Sequence, residues 1–452
     1  MSKVSGGGML GYNHREKEKI MALLSDRAAR IDTENAFKIG PYIRSIEEQG
    51  KKVIKCNLGE PDFPIPGFIK EEVKRQIDLD NTHYCDPQGI LPLRKAIARH
   101  LSETRGIKAT PERIVVFPGA KPPIGFCQQT YCNPGDEVIY PSPGFPIYES
   151  FINYVGAIPV PVHLKEEKNF TLSGEDIASV ITPRTKMIYL NFPSNPTGGV
   201  ASGEQLQEIA GVIQKKCSKD IRIFSDEVYE HILFDGSTHH SIASFPGMEE
   251  VTIVVSGASK SFSWTGGRIG WALFPTVEEA EIFKNLNINY FSCTAAYNQE
   301  GARLGIESPL SQGAIHQMVE AFQERREIVV GGLNAIKGIR CQKPKGAFYV
   351  FPNISGVCKD LGVMEAFQGL SPEIRQKTSP STLFQMFLLF EYQVATMDRK
   401  SFGRIGTENL HFLRLSIATD KESLKEGVSR ILAASKDQRG FKKFFQKGEH
   451  LY

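Results

Sequence analysis

The most informative part of the chain reads Ser256-Gly-Ala-Ser-Lys-Ser-Phe-Ser-Trp-Thr-Gly-Gly-Arg-Ile-Gly-Trp271. An apolar, β-branched run at 251–255 precedes it and predicts a buried strand that ends shortly before Lys260. Arg268 follows that lysine behind a Gly-Gly pair. A lysine in a dry site can be a neutral nucleophile, and a guanidinium can hold a phosphate by two parallel hydrogen bonds. A lone lysine is more often a solvated surface residue, so the prediction depends on the residues that accompany this one.

A polar segment, Asn191-Phe-Pro-Ser-Asn-Pro-Thr-Gly198, follows a predicted strand at 185–190. Asn195 then lies beyond the carboxyl end of that strand, where ligands of open α/β sheets bind. Its amide can donate to a phenolate oxygen of a cofactor and can orient a substrate carboxylate. The alternative for Asn195 is a plain Asn-Pro turn.

A second polar position, Asp226, follows a predicted strand at 221–224. A carboxylate there can pair with a protonated ring nitrogen, and Tyr229 can hydrogen-bond the phenolate oxygen of the same ring. The alternative is that Ser225 or Asp226 caps a helix that begins at this point.

A third segment, Val115-Val-Phe-Pro-Gly-Ala-Lys-Pro-Pro-Ile-Gly125, predicts a strand, a turn and a helix. Ala120 and Lys121 would offer main-chain N–H donors to a phosphate at the start of that helix. The two prolines that follow suit a first helical turn, where their missing N–H groups cost nothing. A Schiff-base lysine, an acid for a ring nitrogen and a phosphate site together indicate pyridoxal 5′-phosphate as the cofactor.

Strand-like and helix-like segments alternate along the middle of the chain. This alternation predicts βα units and a mostly parallel sheet. The predicted strands are 114–117, 137–140, 158–162, 185–190, 221–224, 251–255 and 269–273, and a further one is expected within 345–351.

With these motifs in this order, the chain resembles the class I/II aminotransferases of the fold type I pyridoxal-phosphate enzymes, from about residue 30 to about residue 440. The resemblance implies an α/β fold. Its large domain has a mostly parallel seven-stranded sheet between helices, and its smaller α/β domain is built from both chain ends. The implied activity is transfer of an amino group from an L-amino acid to a 2-oxo acid through a Schiff base on Lys260.

The resemblance also implies contacts at four further positions. Gly59 would touch the substrate carboxylate through its backbone, and Arg414 would hold that carboxylate by two hydrogen bonds. Phe145 would lie on the face of the cofactor ring. Tyr84 would reach across a homodimer interface to the phosphate of the other subunit.

The chain departs from the family pattern at Gly257, at 358–382 and at 395–403. Gly257 stands where many relatives carry a phosphate-binding serine, so Ser259 is the candidate for that hydroxyl. The stretch at 358–382 is extra and is expected to be irregular because of its Ser-Pro pairs, either as a surface insertion or as a lid near the substrate. The expected divisions are an arm or helix at 1–30, small-domain residues at 31–60, a large cofactor-binding domain at 61–324 and a small domain at 325–452.

The composition of the chain indicates which classes of partner and which cellular compartment to expect. The net charge of +3 over 452 residues, with basic residues spread along the chain, argues against nucleic acid as a partner. The eight cysteines form no Cys-x-x-Cys pair and no secretory signal or long apolar run is visible, which favours a cytoplasmic protein without a membrane anchor. The ten histidines show no metal-binding spacing, so no metal is expected.

The sequence is compatible with three functions. The first is transamination, the second is a pyridoxal-phosphate lyase that catalyses β-elimination, and the third is a non-catalytic pyridoxal-phosphate-binding regulator. About 30 residues precede the matching region, too few for the DNA-binding domain of such regulators. The segment at 287–298 holds no lysine or arginine for a second substrate carboxylate, which disfavours a strict aspartate enzyme.

Overall fold

The computed structural model describes residues 23–32 and 34–452, except the side chains of residues 36 and 37. The predicted arm at 1–30 therefore lies largely outside the described residues. The described strands are β1 Ile54–Lys55, β2 Ile114–Phe117, β3 Glu137–Ser142, β4 Ile158–His163, β5 Thr185–Asn191, β6 Arg222–Asp226, β7 Thr252–Gly257, β8 Gly270–Leu273, β9 Tyr349–Val350, β10 Val394–Ala395, β11 Met397–Asp398 and β12 Leu413–Ser416.

Seven of these strands form one sheet in the order β2-β8-β7-β6-β5-β3-β4. Neighbouring strands from β4 to β7 run parallel, whereas β8 is antiparallel to both β2 and β7. Strands β2, β3, β7 and β8 are buried along their whole length, as expected for a sheet that is covered by helices on both faces. The seven predicted strands and the mostly parallel sheet are confirmed.

Helices cover this sheet and make up most of the remaining structure. The α-helices are Asp26–Arg30, Asn35–Lys38, Gly40–Glu48, Gly67–Asp78, Leu91–Arg105, Pro122–Tyr131, Ile147–Val155, Gly174–Ala178, Gly203–Lys216, Ala258–Ser261, Val277–Phe291, Ala296–Glu307, Leu310–Asn334, Ser355–Asp360, Val363–Gln368, Pro372–Lys377, Pro380–Tyr392, Lys421–Ala434 and Gln438–Lys447. Within the described ranges, no helix combines the length and the apolar composition that crossing a membrane would require.

The smaller part of the fold joins distant segments of the chain. Strand β1 pairs in parallel with β10, and β12 lies between β11 and β9 in an antiparallel sheet. Ile54, Phe348, Phe387 and Leu424 belong to one apolar core, so residues near both chain ends are buried together. This arrangement confirms the expected smaller α/β unit.

The register of the parallel strands determines where the polar side chains lie. Asn191 at the end of β5 is the partner of Asp226 at the end of β6, and Asp226 is in turn the partner of Val255 in β7. The carboxyl ends of the three strands therefore meet at one edge of the sheet, which is where α/β proteins bind ligands.

The prediction of irregular structure at 358–382 was wrong, because that stretch is largely helical. Ser371 and Ser379, read as parts of loop-forming Ser-Pro pairs, are the N-caps of two helices. Their hydroxyls accept hydrogen bonds from the amides of Ile374 and Thr382, and a proline opens each first turn.

One smaller expectation was also wrong, and another was confirmed over a shorter range. No α-helix begins at Ser225 or Asp226, because the chain forms turns immediately after β6. The expected strand within 345–351 is limited to Tyr349 and Val350.

The two serine caps differ in what their helices bury, and this predicts unequal effects on stability. The helix after Ser379 buries ten residues, among them Leu383 and Phe384, whereas the helix after Ser371 buries none. We expect Ser379→Ala to lower the free energy of unfolding by about 1 kcal/mol and Ser371→Ala to change it little. Thermal unfolding followed by circular dichroism would measure both variants, and equal midpoints would contradict the prediction.

Candidate active site

A cavity of about 380 Å³ lies at the edge of the sheet where β5, β6 and β7 end. Eleven of the twelve site residues expected from the sequence line it: Gly59, Ala120, Lys121, Phe145, Asn195, Asp226, Tyr229, Ser259, Lys260, Arg268 and Arg414. The twelfth, Tyr84, does not line the cavity and leaves 87% of its surface exposed.

Lys260 belongs to the one-turn helix that follows β7, and its Nζ donates a hydrogen bond to the carbonyl oxygen of Gly59. Burial lowers the pKa of Lys260 to about 8, because the ammonium form loses its hydration. The carboxylates of Glu34 and Glu60 oppose this shift, whereas the charge of Arg414 adds to it. A sizeable fraction of this amine is therefore neutral and nucleophilic near neutral pH.

Asp226 is buried and accepts a hydrogen bond of 2.5 Å from the hydroxyl of Tyr148. Burial raises the pKa of Asp226 to about 6, although the hydrogen bonds from Tyr148 and from the amide of Val228 act in the opposite direction. Among the described residues, no cation forms an ion pair with this carboxylate. A protonated ring nitrogen beside it would supply the missing positive charge.

Tyr229 and Tyr349 face each other with their hydroxyl oxygens 2.8 Å apart. Tyr349 lies so close to Gly59 that a Cβ at position 59 would collide with the Tyr349 hydroxyl. A glycine is therefore required where the backbone passes this tyrosine, and the hydroxyl pair lies on the wall of the cavity.

Arg414 is a buried cation whose described partners are all neutral. Its Nη1 donates to Asn195 Oδ1 at 3.2 Å and its Nη2 donates to the carbonyl oxygen of Asn57. Its Nε has no hydrogen-bond partner among the described residues. Burial lowers the pKa of this guanidinium, since a buried charge without a counterion is unfavourable. An anionic ligand such as a carboxylate would satisfy both the charge and the unpaired N–H.

Arg268 also lines the cavity and is exposed, unlike Arg414. It has a left-handed backbone with φ of 51°, and it donates to the carbonyl oxygens of Thr265 at 2.7 Å and Pro118 at 3.2 Å. A Cβ on Gly119 would collide with this guanidinium, so glycine makes room for it. Ala120 and Lys121 also line the cavity, immediately before the helix Pro122–Tyr131, whose first turn favours anions.

Taken together, the cavity offers an enclosed amine, a buried carboxyl without a cationic partner, a buried guanidinium without an anionic partner and a second anion site. This donor set fits pyridoxal 5′-phosphate and an amino acid, because it matches an aldehyde, a ring nitrogen, a phosphate and an α-carboxylate.

Sequence reasoning missed several residues that hold this arrangement. Asn191 joins the strand ends: its Nδ2 donates to the backbone oxygen of Asp226 at 3.1 Å and its Oδ1 accepts from the amide of Asn195 at 3.0 Å. Tyr148 and Tyr349 meet their partners only through the fold. Glu34 lines the cavity and pairs with Lys121. The strand-end position of Asn191 was the one signal in the sequence that could have identified it.

Known proteins that resemble this chain include several aminotransferases. The family model described as aminotransferase class I and II matches residues 51–431. A probable aspartate/prephenate aminotransferase of Aquifex aeolicus is 35% identical over 91% of this chain and 98% of its own length. Aromatic-amino-acid aminotransferase 2 of Thermococcus litoralis is 33% identical over 92% and 99%, respectively. The crystal structure of the aspartate aminotransferase from Rhizobium meliloti superposes with a TM-score of 0.81 at 32% identity, over 91% of this chain and 98% of that one.

The enclosed amine of Lys260 predicts a pH-dependent reactivity that does not require bound cofactor. We expect acylation of Lys260 in the cofactor-free protein to increase with pH through a midpoint near 8, because the neutral amine is the reactive form. Peptide mass spectrometry after pulsed labelling would measure it, with free N-acetyl-lysine in the same tube as the reference for the reagent. A midpoint near 10.5, the ordinary value for lysine, would contradict the prediction.

Proposed function

This chain belongs to the class I and II aminotransferases and catalyses pyridoxal 5′-phosphate-dependent transamination, and we propose that Lys260 carries the cofactor and that a dicarboxylic amino acid is the preferred amino donor. The observation that carries the first part is the convergence of an enclosed lysine amine, Asp226 and Arg414 on one cavity.

Pyridoxal phosphate, when bound, supplies an electron sink for the bond that breaks at the substrate Cα. Lys260 Nζ would hold the cofactor aldehyde, and the same amine, when free, would accept the substrate Cα proton as a base and return it as an acid. A pKa of about 8 suits both roles, because the amine can gain and lose a proton near neutral pH.

The remaining side chains of the cavity would bind the cofactor and the substrate and orient them. Asp226 would keep a proton on the ring nitrogen, and Tyr229 would donate to the phenolate oxygen of the ring. Arg414 and Asn195, which already contact each other, hold the substrate α-carboxylate. Arg268, the Ser259 hydroxyl and the amides of Ala120 and Lys121 would hold the phosphate. Phe145 would cover one face of the ring, and the Gly59 backbone would border the substrate.

The preference for a dicarboxylic donor follows from counting the cations of the cavity. Its lining includes Lys121, Lys260, Arg268 and Arg414. Three of these have roles toward the cofactor or the α-carboxylate, which leaves the Lys121 ammonium for a second substrate anion. This lysine comes from the helix start after β2 rather than from the segment at 287–298, where sequence reasoning looked for a second cation.

Glu34 supports this assignment of Lys121. The carboxylate of Glu34 pairs with the Lys121 ammonium at the wall of the cavity. An exposed ion pair of this kind contributes little free energy, so a substrate carboxylate can replace Glu34 at small cost. The names of the relatives, which include aspartate aminotransferases, agree with a distal carboxylate at this position.

We also propose that the active form is a homodimer in which Tyr84 contacts the phosphate bound by the other subunit. Tyr84 is almost fully exposed and lies outside its own cavity. Ile288, Tyr290 and Phe291 of the helix Val277–Phe291 also expose apolar surface. Covering such side chains with a second copy would remove apolar area from water.

The role of Lys260 is tested by Lys260→Ala together with Lys121→Met, which changes the other lysine of the cavity. We expect Lys260→Ala to lower kcat by at least about 10³-fold, because it removes both the anchoring amine and the acid–base group. Borohydride reduction followed by peptide mapping should attach the cofactor to residue 260 in Lys121→Met and in the unchanged protein. Attachment to any other lysine would contradict the assignment.

The role of the Lys121 side chain is tested by comparing aspartate with phenylalanine as amino donors. We expect Lys121→Met to lower kcat/KM for aspartate roughly 10- to 100-fold, because a hydrogen bond to a charged group is lost. Turnover of phenylalanine should change far less, since its side chain carries no anion. Lys337→Met, which alters an exposed lysine that does not line the cavity, is the control. An equal loss for both donors would contradict a role in substrate selection.

A further inference from the structure

A cluster of His100, Glu230 and His231, called the His–Glu cluster below, lies outside the active-site cavity. His100 comes from the helix Leu91–Arg105, and the other two residues follow β6. His100 Nε2 lies 3.0 Å and His231 Nε2 lies 3.9 Å from Glu230 Oε2. One potential ligand atom from each residue lies within 4.8 Å of the others.

Two buried carboxylates beside the cluster share one arginine. Glu227 and Glu230 are both buried, and the guanidinium of Arg105 donates to both of them. A cation bound at the cluster would add a second positive charge beside this acidic pair.

Three histidines surround this acidic pair. His239 donates to Glu227 at 2.9 Å, at the same oxygen that Arg105 contacts. A neutral imidazole is the form that binds metal ions.

A cavity of about 370 Å³ opens beside the cluster. His100, Glu230 and His231 line it together with the polar side chains of Ser308 and Gln312. The cavity therefore gives an ion a route to the ligands and leaves room for a water molecule as a further ligand.

We propose that the His–Glu cluster binds one divalent transition-metal ion, with Zn²⁺ as the natural choice, through His100, Glu230 and His231. Two imidazoles, one carboxylate and an open position form a known zinc ligand set, with metal–ligand distances of about 2.0–2.2 Å. His100 Nε2 already lies close enough to Glu230 for both to bind one ion, whereas the imidazole of His231 would have to move closer. Both imidazoles are partly exposed and line the cavity.

An ion bound at the His–Glu cluster would stabilise the edge of the sheet and would not take part in transamination. The other oxygen of Glu230 accepts a hydrogen bond of 2.6 Å from Ser256, the β7 residue that precedes Gly257 and the Lys260 turn. Glu230 also follows Tyr229 directly in the chain. An ion at the cluster would therefore tie the helix Leu91–Arg105 to the turn after β6 and to the end of β7.

The test is Co²⁺ titration of untagged holoenzyme that has been treated with a chelator and dialysed. Absorbance in the d–d region and calorimetry with Zn²⁺ would be measured for the unchanged protein, His100→Gln, His231→Gln and His316→Gln. His316 pairs with Glu320 on an exposed helix surface and is the matched control. Retention of the cofactor absorbance band would show that each variant is folded.

We expect one ion per chain in the unchanged protein and in His316→Gln, and at least about tenfold weaker binding in each cluster variant. Zn²⁺ should also raise the thermal midpoint of the unchanged protein but not that of His231→Gln. Absence of stoichiometric binding, or binding that survives both cluster substitutions, would overturn the proposal. Neither result would bear on the roles of Lys260 and Lys121.

Discussion

The parallel register of β5, β6 and β7 is the constraint on which the active site depends. It sets Asn191 beside Asp226 and Asp226 beside Val255, so three chain segments leave the sheet at one edge. The Asn191 side chain then fixes the turn that carries Asn195. A slip of one residue in β6 would turn Asp226 to the opposite face of the sheet, because side chains alternate between faces.

The cavity walls contain charges that are unfavourable without a ligand. Arg414 is buried against neutral oxygens, and Asp226 has a hydrogen bond but no cationic contact among the described residues. The site is thus preorganised for a molecule that carries a phosphate, a ring nitrogen and a carboxylate, since each of these groups completes one interaction. Binding such a molecule should stabilise the folded protein as well as start the reaction.

Much of this arrangement could be predicted from the sequence because it is encoded locally. The seven strands of the large sheet are short apolar runs, and Asn195, Asp226 and Lys260 each follow one of them. The parts that could not be predicted depend on contacts between distant segments. Tyr148 reaches Asp226 and Tyr229 reaches Tyr349 only after folding, and nothing in the local sequence links these pairs.

The wrong expectations have local causes. Ser371-Pro and Ser379-Pro were interpreted as loop signals, although serine followed by proline is also a favourable way to begin a helix. Asp226 resembled a helix cap, but the carboxylate instead accepts from Tyr148, and the chain continues as turns. In both cases one residue pattern is compatible with two structures, and tertiary packing selects between them.

The pairing of β1 with β10 has a consequence for how the protein is made. Ile54 leaves the ribosome long before Val394, its strand partner, and at elongation rates of about 5–20 residues per second the wait is on the order of tens of seconds. During that time the segment that carries Gly59 has no strand to pair with, and Arg414 has not been synthesised. The large sheet can form during translation, whereas the catalytic cavity closes only when the last tenth of the polypeptide emerges. A nascent chain stalled before β12 would therefore contain a folded large sheet and an incomplete active-site cavity. Such an intermediate would be exposed to chaperones.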